Sequence, residues 1–315
     1  MSAPTDITPV LGRRRAYWHG AVCLAVLMCA VYLALRHWPT LHTGAVRLAV
    51  ADQGWLLVAA TAAAATWVSS ALAQQGAVGS RLPGGRLVAS QFAASAANHI
   101  LPAGLGAGAV NLRFLMRCGL TAGRSASALA VKAGAGAVVR GVLIAALAPA
   151  CTGLLRIPHV GPAALLAPAA VIGLVILLLN SPLWPRCRRA LAVVLADIRA
   201  VHAHPRRAAA LWGGSLAFTA FHSLVLIAVT QAVALPLAPV RVALLYLAAS
   251  SAAALLPTPG GLGSLDAALG LALTASGAPS AAAASVVLGY RLLTVWLPLL
   301  PSLLVLGVLI RRRAL

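Results

Sequence analysis

The sequence predicts an all-α polytopic membrane protein with six full transmembrane helices and two re-entrant helical hairpins. Of its 315 residues, 61% are hydrophobic and only 9% are charged, whereas a soluble domain carries about 25% charged residues. Several apolar runs reach about 20 residues, enough to cross about 30 Å of hydrocarbon as a helix. Two further apolar segments are interrupted in the middle by Pro and Gly, which predicts paired half-helices instead of single crossings.

The charged residues exclude several classes of function. The chain has 24 Lys and Arg but only four acidic residues, all Asp and far apart in sequence. Paired-carboxylate hydrolysis and carboxylate-bound metals need clustered acids, and the five cysteines form no CxxC pair. We therefore expect no enzyme activity, no metal and no cofactor. The net charge of +20 lies mainly beside apolar runs, which indicates membrane orientation and not nucleic-acid binding.

The six crossings follow from the apolar runs, within a single membrane domain at 16–310. The first run, at 16–35, is too long for a cleaved signal peptide, so 1–15 is predicted to be a cytoplasmic tail. The other crossings are predicted at 54–74, 125–148, 163–180, 208–233 and 281–309. Because Arg-rich segments stay in the cytoplasm, both ends of the chain, including 311–315, are predicted there.

The two broken segments are predicted to be hairpins at 87–118 and 242–277. They contain LPAGLGAG at 101–108 and LPTPGGLG at 256–263. The flanking arginines require the first hairpin to enter and leave on the cytoplasmic side and the second on the outer side. The matching spacing of Leu-Pro, Gly-Leu-Gly and a later glycine predicts an internal duplication. Opposite orientations make it an inverted repeat.

A basic segment at 182–207 links the two halves on the predicted cytoplasmic side. Its apolar residues Leu191, Val194, Leu195 and Ile198 have helical spacing. They predict either an amphipathic helix in the headgroup region or a cytoplasmic loop with helical content.

Four charged residues fall inside predicted membrane helices, where an unpaired charge is costly. Lys132 and Arg140 are two helical turns apart and share a face, while Arg291 occupies the corresponding place in the second copy. All three are candidate residues for binding an anionic headgroup; for Arg140 and Arg291 the alternative is snorkelling to an interface. Asp266 is predicted to form a salt-bridge gate with Arg291, to couple protons, or only to cap its helix with Ser264.

These segments resemble the lysylphosphatidylglycerol synthase transmembrane-domain family, a flippase-like membrane domain. The resemblance rests on NHILPAGLGAG at 98–108 followed by LMRCGLTAGRSASALAVKAG, and more sharply on LLPTPGGLGSLDAALGLALTASG at 255–277 followed by GYRLLTVWLP. It extends over about 16–310 and implies a protein of the bacterial cytoplasmic membrane that moves or presents lipid headgroups. Bifunctional members add a soluble aminoacyltransferase domain. Because the sequence ends at Leu315, lysyl transfer is not expected of it.

The resemblance also implies two groups of site residues, one in each hairpin. The first group comprises Asn98, Pro102, Gly106 and Arg113. The second comprises Pro257, Pro259, Gly260, Gly261, Gly263, Asp266 and Arg291. Asp266 stands where the family usually has Glu, Lys132 stands where Arg is frequent, and the first hairpin has Ala107-Gly108-Ala109 where an acid often occurs.

The expected function is translocation or presentation of an anionic or phosphate-linked envelope lipid. Membrane lipids are the expected partners, with an envelope-lipid biosynthetic enzyme as a further one. Two alternatives stay open: a secondary transporter of a small soluble anion, and a non-transporting membrane subunit of a lipid-modifying system. No Gly-Lys-Ser/Thr nucleotide loop follows either glycine-rich motif, so the driving force is expected from a gradient, the membrane potential or consumption of the lipid.

Overall fold

Helices make up the regular structure of the described residues, which are 43, 46–100, 105–151, 184–254 and 263–312 of a computed structural model; no strand occurs among them. The helices are α1 Gln53–Ala77, α2 Gly84–Ile100, α3 Leu105–Arg117, α4 Ala122–Leu147, α5 Trp184–His202, α6 Pro205–Ala232, α7 Pro239–Ala254, α8 Ser264–Ala275, α9 Ser280–Arg291 and α10 Leu297–Arg311. A 3₁₀ turn at Ala148–Cys151 extends α4, and a π-helical turn at Leu292–Trp296 joins α9 to α10.

Four helices in the described part of the chain are long and apolar enough to cross a membrane. They are α1, α4 with its 3₁₀ extension, α6, and α9 continued through the π turn into α10. Their lengths of 25, 30, 28 and 32 residues exceed the roughly 20 residues that a hydrocarbon core requires. The predicted long apolar helices at 54–74, 125–148, 208–233 and 281–309 are therefore confirmed. The predicted crossings at 16–35 and 163–180 lie outside the described residues.

Helices α1 and α6 pack antiparallel along their whole length and form the central scaffold. At one end, the Asp52 N–H donates to the Ala232 carbonyl at 3.0 Å. At the other end, a Cβ on Gly76 would lie 2.3 Å from the Leu211 backbone nitrogen, and Gly214 is equally tight against α1. Because these glycines lack a side chain, the two backbones can touch, as in closely packed membrane helices.

Each predicted hairpin segment contains two short helices that pack together. In the first, a Cβ on Gly106 would lie 1.9 Å from the Ala97 carbonyl oxygen, and Gln91 Nε2 donates to Asn111 Oδ1 at 3.0 Å. These contacts join the end of α2 to the start of α3, so the helices run antiparallel. Their 17 and 13 residues extend about 25 and 20 Å, less than the roughly 30 Å core. Helices α7 and α8, of 16 and 12 residues, also pack together.

The turns after α3 and α8 have the same hydrogen-bond pattern. Each contains a glycine in the left-handed region, Gly119 at φ +91° and Gly277 at φ +95°. The bonds run from Gly119 N to Met116 O (3.0 Å), Leu120 N to Leu115 O (3.2 Å), Gly277 N to Thr274 O (2.9 Å) and Ala278 N to Leu273 O (3.1 Å). Both turns are therefore Schellman caps, and they lie at corresponding places in the two predicted copies.

The basic linking segment contains a helix, α5, which packs against the first half of the protein. Val201 is fully buried, and Val194 and Ile198 pack against the apolar core that α1–α4, α6 and α10 share. Asp197 of this helix accepts a hydrogen bond from Ser127 of α4, whereas Arg188 and Arg199 are exposed. The helical content is confirmed, and its position in the headgroup region stays a prediction.

Candidate functional site

Asp266 lies in the first turn of α8, where its carboxylate has two partners. Oδ2 accepts the N–H of Gly263 at 2.9 Å, and Oδ1 forms an ion pair with Nε of Arg291. Gly263 is the N-cap, and its φ of +88° belongs to the left-handed region that favours glycine. Ser264, the expected cap, is instead the first helical residue. Asp266 thus combines two roles that the sequence presented as alternatives, helix capping and pairing with Arg291.

Arg291 is buried in the protein interior, with only 6% of its surface exposed. It ends α9, immediately before the π-helical turn Leu292–Trp296. Such π turns recur at functional sites because they redirect side chains within a continuous helix. The burial and the Asp266 pair favour an interior role for Arg291 over snorkelling to the membrane surface.

A polar aromatic cluster adjoins Arg291 and comprises His222 of α6, Tyr246 of α7 and Tyr290 of α9. His222 Nδ1 lies 3.0 Å from the Tyr290 hydroxyl, which donates to the Tyr246 hydroxyl at 3.5 Å. The His222 and Tyr246 rings are nearly parallel, with centroids 6.1 Å apart. The sequence did not predict this cluster, although a histidine inside an apolar run is itself an indication of a functional group.

Arg140 of α4 supplies a second positive charge to the same region. Its charge acts electrostatically on His222, Tyr246 and Tyr290, and that of Arg291 acts on the two tyrosines as well. The Nε atom of Arg140 is buried but has no hydrogen-bond partner among the described residues. The structure therefore brings together two arginines that the sequence had placed in different copies.

The end of α2 reaches this region from the first hairpin. Arg291 acts electrostatically on His99, whose buried Nδ1 finds no hydrogen-bond partner in the described part of the chain. Asn98, beside it, is half-buried. The tip cluster, defined as His99, Arg140, His222, Tyr246, Tyr290, Asp266 and Arg291, thus combines residues from both predicted copies.

Lys132 belongs to a different polar cluster, between α1, α2 and α4. Its ammonium donates to Ser70 Oγ at 2.9 Å and to the side-chain oxygens of Gln74 and Gln91 at 3.2 Å each. Gln91 also joins the network to Asn111 of α3. All three acceptors of the ammonium are neutral. Lys132 therefore fastens the first hairpin to the scaffold, and the structure does not show it sharing a site with Arg140.

The remaining predicted site residues fall into three groups. Gly106 is explained by backbone packing against α2, since any side chain there would collide with Ala97. Arg113 is exposed on α3, and no described contact links it to the tip cluster. Pro102, Pro257, Pro259, Gly260 and Gly261 lie outside the described residues. Within the described ranges, no group of three or more His, Cys, Asp or Glu side chains could hold a metal ion.

The long apolar helices and their buried polar clusters define a polytopic α-helical membrane protein. The chain belongs to the lysylphosphatidylglycerol synthase TM region family, whose sequence profile matches residues 15–302. The match spans nearly the whole chain and confirms the resemblance inferred from the hairpin motifs. This family is a membrane domain associated with the synthesis and flipping of lysylphosphatidylglycerol. Comparison with curated proteins gave no match.

Proposed function

We propose that this protein translocates or presents an anionic, phosphate-bearing envelope lipid across the bacterial cytoplasmic membrane. The observation that carries the proposal is the charge of the tip cluster. Arg140 and Arg291 both act on the buried tyrosines, whereas Asp266 is the one carboxylate among the described residues of this cluster. A charge inside a membrane is costly unless it is paired. Arg140 is half-buried and its buried Nε has no partner among the described residues, so a lipid phosphate would supply its counter-ion.

The proposal includes six crossings, two re-entrant hairpins of opposite orientation and cytoplasmic ends. Three features support this inverted repeat. Helices α1 and α6, which correspond in the two predicted copies, pack antiparallel; each broken segment contains two short helices; and the turns after α3 and α8 match. Inverted repeats in transporters place the substrate between the two copies near the membrane midplane, where the tip cluster would lie.

Exchange of partners at Arg291 offers a gating mechanism. A guanidinium binds a phosphate through two parallel hydrogen bonds, so a headgroup phosphate competes with Asp266 for Arg291. Release of Asp266 would loosen its bond to Gly263 at the start of α8 and couple headgroup binding to the second hairpin. This exchange of ion-pair partners breaks no covalent bond. Moving one charge across a membrane potential of about 100 mV is worth about 2.3 kcal/mol.

Membrane lipids are the partners, and an envelope-lipid biosynthetic enzyme would supply or consume them.

Lipid movement in proteoliposomes tests the proposal. Fluorescent phosphatidylglycerol and phosphatidylcholine would be scored by quenching of the outer leaflet, with wild-type protein, Arg291→Gln and the exposed control Arg311→Gln. We expect wild-type protein to move the anionic lipid and Arg291→Gln to slow it about tenfold or more, the effect of about 1.4 kcal/mol on the barrier. Arg311→Gln should match wild type.

Two results would contradict lipid translocation. Wild-type protein that moves neither lipid but binds a soluble phosphate would support an anion transporter. Wild-type protein that moves no lipid and binds no anion would support a non-transporting subunit.

A further inference from the structure

A basic pocket, here called the first pocket, lies between the turn after α1 and the start of α6. The volume of this pocket is ≈ 410 Å³. Three arginines line it, Arg81, Arg206 and Arg207, and no acidic residue does so among the described residues. The pocket therefore concentrates positive charge at one end of the central α1–α6 pair, away from the tip cluster.

Arg207 has an unused donor at the wall of this pocket. Its Nη1 donates to the Ala200 carbonyl at 3.4 Å and lies 3.8 Å from the position of a Cβ on Gly79. Its Nε is buried, yet it has no hydrogen-bond partner in the described ranges. A buried charged donor without an acceptor is unfavourable, so an anion entering the pocket would satisfy it.

The amino end of α6 adds to the positive potential of the first pocket. This helix of 28 residues starts at Pro205, and no described side chain caps it. The partial positive charge of a helix start favours a bound phosphate. The turn at 78–82 faces that end, so an anion there would meet both the helix start and the arginine side chains.

A second pocket of ≈ 370 Å³ lies at the opposite end of the α1–α6 pair and contains Arg47 and Arg241. The turn that lines it, at 233–237, follows α6 as the turn at 78–82 follows α1. Arg241 also has a buried Nε without a partner among the described residues. Each pocket thus combines at least two arginines, one of them with a buried Nε that lacks a described partner, with the turn that follows one helix of the pair.

We propose that each pocket binds the phosphate of an anionic phospholipid headgroup, one at each membrane surface. Helices α1 and α6 have 25 and 28 residues and so extend about 38 and 42 Å, beyond the roughly 30 Å hydrocarbon core. Their ends would therefore reach the headgroups, which makes a lipid a better match than a free phosphate. The first pocket binds more tightly because three arginines line it, whereas two line the second. This inference goes beyond lipid translocation and does not depend on it.

Lipid retention by the purified full-length protein in an uncharged detergent tests the first pocket. Native mass spectrometry would measure the affinity for phosphatidylglycerol and phosphatidylcholine in Arg81→Gln/Arg206→Gln and in the control Arg188→Gln/Arg199→Gln. Both variants lose two exposed arginines, and the control pair lies on α5. We expect the pocket variant to lose affinity for phosphatidylglycerol about tenfold and the control less than about twofold. Thermal melting of each variant shows whether it is folded.

Three outcomes would overturn the inference: equal losses in both variants, equal retention of the two lipids by wild type, or full displacement of phosphatidylglycerol by inorganic phosphate. The last would identify a free-phosphate site. A protein that retains the anionic lipid in the first pocket but moves none across a membrane would contradict the proposed function and leave this inference intact.

Discussion

Removing the charge of Asp266 alone should destabilise the protein more than removing the charges of both Asp266 and Arg291. Asp266→Asn keeps an oxygen that can accept the Gly263 N–H, so it removes the ion pair and preserves the helix cap. Arg291→Gln removes the cation and leaves the carboxylate. The double variant replaces the ion pair with two neutral amides that can hydrogen-bond to each other.

The expected magnitudes follow from the unequal burial of the two side chains, 8% exposed for Arg291 and 31% for Asp266. Removing one partner of a buried ion pair costs about 3–5 kcal/mol, because the other charge loses its counter-ion. We place Asp266→Asn in that range and Arg291→Gln at about 2 kcal/mol, because water can partly solvate the remaining carboxylate. The double variant should lose about 2 kcal/mol, which gives a coupling energy of about 3–5 kcal/mol.

Equilibrium unfolding of the purified protein in mixed micelles, followed by circular dichroism, would measure these free energies. Arg311→Gln, at an exposed position outside the cluster, is the matched control and should change stability by less than about 0.5 kcal/mol. Single losses that add to the double loss within about 0.5 kcal/mol would refute the interaction between the two residues.

Three further variants test other contacts by the same unfolding measurement. Gly106→Ala should lose about 1–3 kcal/mol because its methyl group collides with α2, whereas Gly108→Ala, with open space around it, should lose nothing; equal effects would contradict the close packing. Lys132→Met should lose about 1–3 kcal/mol by removing three hydrogen bonds from this polar network, and an unchanged stability would contradict its fastening role. Tyr290→Phe should lose about 0.5–1.5 kcal/mol by removing the hydrogen bond with His222; a neutral result would show that this bond contributes nothing.

The long helices and the Asp266–Arg291 pair could be predicted from the sequence because the helices depend on consecutive apolar residues and the pair had few possible partners. A run of about 20 apolar residues is sufficient evidence for a membrane helix, and the described part of the chain contains four such helices. Asp266 was the one acid within an apolar stretch, so few cations could be its partner. The match between Gly119 and Gly277 was likewise visible from spacing, and both adopt the left-handed conformation.

The partners of Lys132 and Arg140 could not be predicted because they depend on tertiary packing. Gln74 and Gln91 are neutral, lie on different helices and produce no periodic pattern, yet both accept hydrogen bonds from Lys132. His222 is one polar residue in an apolar run, and only the assembled helices bring it within the field of Arg140. The arginines of the first pocket were interpreted as orientation signals alone, because pocket formation requires the antiparallel contact of α1 with α6.

Side-specific cysteine labelling tests whether the two hairpins enter the membrane from opposite sides. With the native cysteines replaced, Ala103→Cys and Thr258→Cys would each be exposed to a membrane-impermeant maleimide in intact cells and in inside-out vesicles. We expect position 103 to react from the cytoplasmic side and position 258 from the outer side. Reaction of both positions from the same side would contradict it.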